Sequence, residues 1–135
     1  MLIADGDGAV RQRLFSRLLD ADIYSDCVSN VGDALKKLEE TTYAIVLLDI
    51  ELPGDDAVRI VNYIETMTNA LRPVVLVLAS NPEAARTLQV EVVQIVLRKP
   101  AGVGQLTDLI RNCMRTLSAR RNDVPPQAPA DPLTT

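Results

Sequence analysis

Three residues whose side chains could carry out chemistry stand at the ends of three separate apolar segments: Asp5, Asp49 and Lys99. Carboxylates that are held close together repel one another. A divalent cation relieves that repulsion, and hard oxygen ligands favour Mg²⁺. A carboxylate beside Mg²⁺ and a lysine ammonium can also attack a phosphoryl group and form an acyl phosphate. These residues therefore predict phosphoryl-transfer chemistry if the fold brings them together.

The segments that would position these residues alternate between two kinds of pattern. Apolar runs typical of strands cover 1–4, 23–28, 43–48, 73–79 and 92–97, and helical spacing of apolar residues covers 8–20, 31–38, 57–64, 82–90 and 106–117. The helix over 82–90 is short, with Asn81 as its N-cap and Pro82 at its first position. Five strand–helix repeats predict the α/β class, with a parallel sheet covered by helices on both faces. Ligands bind such sheets at the carboxyl ends of the strands, so the three residues are expected to meet at one edge.

Composition excludes several other classes of function. The chain has 135 residues, a net charge of −4 and no histidine, which suits one domain without the commonest general base or zinc ligand. The acidic balance argues against nucleic-acid binding, and no apolar run is long enough to span a membrane. Cys27 and Cys113 are far apart in apolar surroundings, which predicts buried thiols and a reducing, cytoplasmic location.

The last part of the chain differs in composition from the rest. Residues 119–135 hold four of the eight prolines and show no hydrophobic periodicity. We interpret this segment as a disordered tail and residues 1–118 as a single folded domain.

With these features in view, residues 1–118 resemble the receiver domain of bacterial two-component response regulators. The segment Ile45-Val-Leu-Leu-Asp-Ile-Glu-Leu-Pro-Gly54 is similar to the phospho-acceptor strand and loop of that family. Arg98-Lys99-Pro100 is similar to its Lys-Pro motif, and Leu2-Ile-Ala-Asp5, followed by Val10-Arg11, is similar to its acidic first turn.

The resemblance implies a flavodoxin-like, doubly wound (βα)5 sandwich with a five-stranded parallel sheet in the order 2-1-3-4-5. It implies that Asp49 accepts a phosphoryl group from a histidine kinase or phosphotransfer protein. It also implies that Asp5, Asp49 and the backbone carbonyl of Glu51 hold Mg²⁺, that Lys99 binds the phosphoryl group, and that the Lys99–Pro100 peptide is cis. Such a domain is a self-phosphorylating acceptor at most, not an enzyme. It would act on a downstream protein target, and a homodimer could form through the face of the fourth helix, the fifth strand and the last helix.

Several positions depart from the family pattern. Gly6 stands where the family has a second acid, and Asp7 follows as an alternative metal ligand. Leu78 occupies the position of the switch hydroxyl, and Ser80 could substitute for it if the loop shifts. Val96 replaces the switch aromatic. The phosphorylation signal would therefore have to travel differently from the family's usual hydroxyl–aromatic route.

Two alternatives remain open at this stage. The chain could be an atypical receiver that serves as an interaction module without phosphorylation, because the hydroxyl, the aromatic and one acid are missing. Residues 2–10 also resemble the first motif of haloacid-dehalogenase-type phosphatases, with Asp5 as nucleophile and Asp7 as acid/base. That resemblance leaves the segment around Asp49 unexplained, and no later acidic pair completes its metal site.

Overall fold

The fold is built on one five-stranded parallel sheet. The computed structural model describes residues 1–88 and 91–123. Its strands are β1 (Leu2–Ala4), β2 (Asp26–Val28), β3 (Ile45–Asp49), β4 (Val74–Ala79) and β5 (Val93–Arg98). All neighbouring strands pair in parallel, in the order β2-β1-β3-β4-β5. The predicted α/β class and the strand order 2-1-3-4-5 are both confirmed.

Helices cover both faces of this sheet. They are α1 (Gly8–Asp20), α2 (Val31–Glu40), α3 (Val58–Glu65) and α4 (Val103–Asp123), with 3-10 helices at Asn69–Leu71 and Pro82–Thr87. None of the helices in the described ranges is long and apolar enough to cross a bilayer. Helix α1 contacts α4 on one face, and α2 contacts α3 on the other. The arrangement is the three-layer sandwich that strict strand–helix alternation predicts.

Each face of the sheet has its own apolar core, because successive side chains of a strand point to opposite faces. Leu48 and Val77 belong to the core beneath α2 and α3. Leu47 and Leu76 belong to the core beneath α1 and α4. Strands β3 and β4 are therefore buried on both sides, which explains their uninterrupted apolar sequences. Two almost fully buried strands consequently carry the residues at the centre of the sheet edge.

The predicted fourth helix is wrong in type and in length. The segment after β4 forms a 3-10 helix over Pro82–Thr87, while residues 89–90 lie outside the described part of the chain. Its predicted cap is correct, since Asn81 Oδ1 accepts a hydrogen bond from Glu83 N at 3.1 Å. In this segment the described side chains of Ala85 and Leu88 are buried.

Other predicted boundaries also shift. Strand β2 covers only Asp26–Val28, because Ala21 and Asp22 form the turn that follows α1 and Tyr24 is exposed. The last helix continues to Asp123, so residues 119–123 are helical rather than part of a tail, and residues 124–135 lie outside the described chain.

The two cysteines are less buried than predicted. Cys27 is exposed and Cys113 is half-buried, and both are free thiols. Cys27 lies opposite Ile3 in the sheet, but β2 is an edge strand, so a residue there lacks the cover that the central strands receive. Partial desolvation raises the pKa of both thiols above its usual value. The apolar neighbours in the sequence were therefore a poor guide to their exposure.

Strand β5 joins the sheet with an irregular register. Val75 lies opposite Val93 and Leu76 opposite Ile95, so Gln94 is an extra residue on the β5 side. Its side chain repairs the interrupted ladder, since Gln94 Oε1 accepts a hydrogen bond from the buried Val75 N at 2.7 Å. This bulge sets the register of the strand that leads to Lys99.

Replacement of Gln94 should therefore reduce stability, because the backbone N–H of Val75 loses its hydrogen-bond acceptor. We expect Gln94→Leu to lower the free energy of unfolding by about 1–2 kcal/mol, because the amide of Val75 is left buried without an acceptor. Gln94→Glu still offers a side-chain oxygen as acceptor, so its free energy of unfolding should fall by less. Chemical denaturation of the three proteins measures the difference. Equal losses in the two variants would show that the hydrogen bond is unimportant.

Candidate functional site

The site lies at the carboxyl ends of the central strands. Asp5 directly follows β1, Asp49 is the last residue of β3 and Lys99 directly follows β5. Lys99 Nζ lies 2.6 Å from Asp49 Oδ1, across the end of β4. Asp5 and Asp49 are both buried, with 5% and 4% of their surfaces exposed. The fold thus brings together the residues that the sequence predicts, at the edge where ligands bind such sheets.

The turn after β3 holds the Asp49 carboxylate in place. Asp49 Oδ1 accepts a hydrogen bond from Glu51 N at 2.9 Å, and Asp49 O accepts one from Leu52 N at 3.0 Å. The turn is completed by Gly54, whose φ of 101° is a conformation that other residues adopt only with strain. One carboxylate oxygen is consequently bound by the backbone and by Lys99, while the described contacts leave Oδ2 available.

Lys99 is fixed by its backbone as well as by its side chain. Its amide donates to Ala79 O at 2.9 Å, and the Lys99–Pro100 peptide is cis, as the resemblance implies. Burial alone would lower the pKa of Lys99. Hydrogen bonds to Asp49 and Glu51, together with their negative charges, more than offset burial and raise the pKa above its usual value. Lys99 is therefore a firmly protonated cation.

Asp5 is held at the base of the same edge. Its Oδ1 accepts a hydrogen bond from Asp7 N at 2.9 Å, and Arg11 Nη1 donates to Asp5 O at 2.7 Å. Burial raises the pKa of Asp5; the bond from Asp7 N opposes this, and the charge of Asp49 adds to it. A carboxylate kept charged here at neutral pH is therefore a local strain on the fold, of the kind that binding sites retain.

This strain gives a prediction for Asp5→Asn. The raised folded-state pKa means that stability from this group is complete below the unfolded pKa and is lost as pH rises through the folded pKa. At neutral pH and without Mg²⁺, the variant should therefore be more stable than the wild type, with a free energy of unfolding that is higher by about 1 kcal/mol. Thermal unfolding measures this change. Mg²⁺ should raise the melting temperature of the wild-type protein more than that of the variant; an equal rise would remove Asp5 from the metal site.

The neighbours of Asp5 differ from the two adjacent acids of the resembled pattern. A Cβ atom at Gly6 would lie 3.0 Å from Pro53 Cδ, so a larger residue there requires the loop after β3 to shift by a few tenths of an ångström. The side chain of Asp7 caps α1, accepting hydrogen bonds from Ala9 N and Val10 N. Asp7 was one of the predicted metal ligands; its described side-chain contacts are those of a helix cap.

The positions of the family's switch residues are occupied differently. Leu78 lies opposite Asp49 in the sheet, and its side chain is buried in the core beneath α1 and α4. Ser80 does reach the site, because its Oγ donates to Glu51 Oε1 at 2.9 Å. Val96 is 38% exposed on the edge strand. On the same strand, Val93 is buried.

The side chain of Glu51 is the site feature that sequence reasoning missed. Only its backbone carbonyl was assigned a role, yet its Oε1 lies 3.0 Å from Lys99 Nζ as well as 2.9 Å from Ser80 Oγ. Hydrogen bonds from Lys99 and then from Ser80 lower the pKa of Glu51. The sequence signal was an acid two residues after Asp49, but its direction depends on loops that are distant in the chain.

The donor set at this edge fits Mg²⁺. Within residues 1–88 and 91–123, no three His, Cys, Asp or Glu side chains form a metal-binding group. Mg²⁺ does not require one, since it is usually held by one or two carboxylates and keeps several waters. Asp5 and Asp49 could supply two carboxylate oxygens, and the Glu51 carbonyl a third ligand. Lys99 contacts Oδ1 of Asp49, so Oδ2 is the oxygen that the described contacts leave for a metal.

Comparison with known proteins identifies the family. The family profile described as "Response regulator receiver domain" matches residues 1–111. The chain belongs to this family. Receiver domains are signalling domains of two-component systems, and the haloacid-dehalogenase alternative is set aside. No significant match is found among curated proteins.

Solved receiver structures share the fold at low sequence identity. A CheY-like receiver domain from Methylobacillus flagellatus is 18% identical with a TM-score of 0.70, covering 83% of this chain and 95% of the other. A two-component response regulator from Clostridium difficile is 21% identical with a TM-score of 0.74, covering 86% and 95%. Response regulator TrrA from Thermotoga maritima, in complex with Mg²⁺-BeF, is 21% identical with a TM-score of 0.69, covering 83% and 96%. These likenesses concern the fold.

Proposed function

We propose that this receiver domain accepts a phosphoryl group on Asp49 from a phosphohistidine of a histidine kinase or phosphotransfer protein. The observation that carries the proposal is the position of Lys99 Nζ, 2.6 Å from Asp49 Oδ1 at the carboxyl end of the sheet. The Asp49 carboxylate is buried, oriented by Glu51 N and paired with a cation. A phosphoryl-accepting carboxylate needs this combination of fixed position and neighbouring positive charge.

The transfer step balances as a displacement at phosphorus. A free oxygen of Asp49 attacks the phosphorus atom and forms the new O–P bond. The P–N bond to the donor imidazole breaks, and the imidazole nitrogen keeps the electron pair. Lys99 stabilises the negative charge on the transferred oxygens. The hydroxyl of Ser80 is the second proposed donor to these oxygens.

We propose Mg²⁺ as the cofactor of this step, held by Asp5, Asp49 and the backbone carbonyl of Glu51. The metal supplies positive charge that offsets the anionic oxygens of the phosphoryl group. The receiver family and the Mg²⁺-BeF complex of the Thermotoga protein support this choice. Asp5 is a residue that a bound cation would stabilise in its charged form, because burial and the charge of Asp49 raise its pKa.

We further propose that the output is a contact with a downstream protein rather than a chemical reaction. A homodimer through β5, α4 and the Pro82–Thr87 helix remains a proposal, supported by the exposure of Val96 on β5. A strict monomer in sedimentation at high concentration would exclude it. A cytoplasmic location is proposed because free thiols at Cys27 and Cys113 persist in a reducing compartment.

Labelling with acetyl phosphate tests the proposed function directly. The full chain should gain the mass of one phosphoryl group in the presence of Mg²⁺ and little when a chelator removes the metal. Intact-protein mass spectrometry measures the label. A folded protein that takes up none at high donor concentration would exclude phosphoryl acceptance.

That negative result would favour a second function, an interaction module that works without phosphorylation. Three observations support this alternative. The buried Leu78 offers no hydrogen bond to a phosphoryl oxygen, Val96 provides no aromatic ring, and Gly6 provides no carboxylate where the family has a second acid.

A further inference from the structure

The Glu51 carboxylate joins the ends of two other strands. Its Oε1 accepts hydrogen bonds from Lys99 Nζ after β5, at 3.0 Å, and from Ser80 Oγ after β4, at 2.9 Å. We call these two contacts the Glu51 bridge. The bridge forms beside Asp49, because Glu51 follows it by two residues and its amide is bound by Asp49 Oδ1.

The donors in the bridge are those that a phosphoryl group on Asp49 would require. A phosphoryl group presents anionic oxygens, and an ammonium and a hydroxyl are suitable donors to them. Lys99 has three N–H donors, of which two contact Asp49 and Glu51. Ser80 has one O–H donor, and Glu51 takes it. Ser80 therefore cannot bind a phosphoryl oxygen until Glu51 leaves.

From this geometry we propose that Glu51 is a built-in competitor that occupies the phosphoryl position between Lys99 and Ser80 and must swing away before Asp49 is phosphorylated. The inference rests on the proposed phosphoryl-acceptor function. The carboxylate opposes the reaction in two ways: it takes the hydroxyl donor, and it repels the anionic donor molecule. The Glu51 side chain is half-exposed, so it can turn into solvent when a phosphoryl group displaces it.

The displacement also offers a route for the signal in a receiver without the usual switch residues. In the resting chain the bridge ties the loop after β3 to the end of β4. Phosphorylation would break the contact between Glu51 and Ser80 and redirect the Glu51 side chain, while backbone hydrogen bonds such as Ile50 N to Leu78 O still hold the loop. This change needs neither a hydroxyl at Leu78 nor an aromatic at Val96. Lys99 would then exchange its contact with Glu51 for one with the phosphoryl group, and the released Glu51 side chain would mark phosphorylated Asp49 at the protein surface.

The decisive experiment compares initial labelling rates with acetyl phosphate and Mg²⁺ in wild-type protein, Glu51→Gln and Glu51→Ala. Glu39→Gln is the matched control, because it removes the same charge at the exposed end of α2. We expect both Glu51 variants to label roughly three- to fivefold faster, the range of an exposed ion pair, and the control to match the wild type. Added salt should narrow the difference between Glu51→Gln and wild type, since exposed charges are screened.

The outcomes separate this inference from the proposed function. Equal or slower labelling of Glu51→Ala, which removes the acceptor oxygen, beside a labelled wild type overturns the competitor role and leaves phosphoryl acceptance intact. No label on any of the proteins overturns both. Labelling of Glu51→Gln with an unlabelled wild type supports both.

A second measurement does not depend on phosphoryl transfer. The backbone amide resonance of Ser80 should shift in the same direction when Glu51 becomes Ala and when beryllium fluoride with Mg²⁺ is added to the wild-type protein. A Ser80 resonance that does not respond to Glu51→Ala contradicts the bridge.

Discussion

Replacement of Asp49 by asparagine is expected to abolish the label that acetyl phosphate and Mg²⁺ place on this receiver domain. An amide is not a nucleophile toward phosphorus, whereas the carboxylate supplies the attacking oxygen. The substitution preserves shape: an asparagine Oδ1 can still accept the hydrogen bond from Glu51 N. Removal of one of two neighbouring buried charges also reduces their repulsion, so the variant should fold. Intact-protein mass spectrometry should show no gain above background.

The matched control for this variant is Asp55→Asn. Asp55 lies in the same loop but pairs with Arg59 on the surface, away from the buried site. It should label at the wild-type rate, and circular dichroism should show that all variants are folded. A label that survives in Asp49→Asn would place the acceptor elsewhere. Asp5 would then be the next acceptor to test, by mapping the labelled residue in Asp49→Asn directly.

The parts of this site that the sequence predicts are those that depend on strand order alone. Tyr43–Leu48 is an apolar run followed by Asp49, and a run of this kind is a central strand whose carboxyl end lies at the ligand edge. The same argument applies to Asp5 and Lys99, because each follows a strand. Such predictions need only the alternation of strands and helices, which is the most robust signal in an α/β sequence.

The parts that the sequence does not predict depend on contacts between distant loops. The Glu51 side chain meets Ser80 and Lys99, residues 29 and 48 positions away in the chain. The tight approach of Pro53 to Gly6 likewise joins two loops. No local pattern encodes which way a side chain turns after leaving a strand, so these features appear only when the loops are packed against one another.

Strand β2 and the segment after β4 were mispredicted for a related reason. Short elements have too few residues for periodicity to separate helix, strand and turn. Cys27 looks internal beside Val28, yet an edge strand leaves it exposed. Gln94 looks like an interruption in an apolar strand, and its role in completing the β4–β5 ladder requires the register of both strands. Tertiary packing decides each of these cases.

Loss of the Lys99 charge is expected to have the second-largest effect on the site. Lys99→Met keeps the length of the side chain but leaves the buried Asp49 carboxylate without its cation. We expect labelling to slow roughly a hundredfold, the effect of removing one preorganised donor from a developing negative charge. We also expect the free energy of unfolding to fall by about 1–2 kcal/mol at neutral pH, because Asp49 and Asp5 then face each other uncompensated.

Second-site variants separate these two effects. Asp5→Asn in the Lys99→Met background should recover part of the lost stability, since one of the two repelling charges is gone, but should not recover the labelling rate. Lys99→Arg keeps the positive charge but lacks the compact ammonium. It should therefore retain the free energy of unfolding more fully than the labelling rate. Chemical denaturation and initial labelling rates measure the two properties independently. A Lys99→Met protein that labels at the wild-type rate would contradict a role for Lys99 in transfer and would leave Lys99 as a structural partner of Asp49 alone.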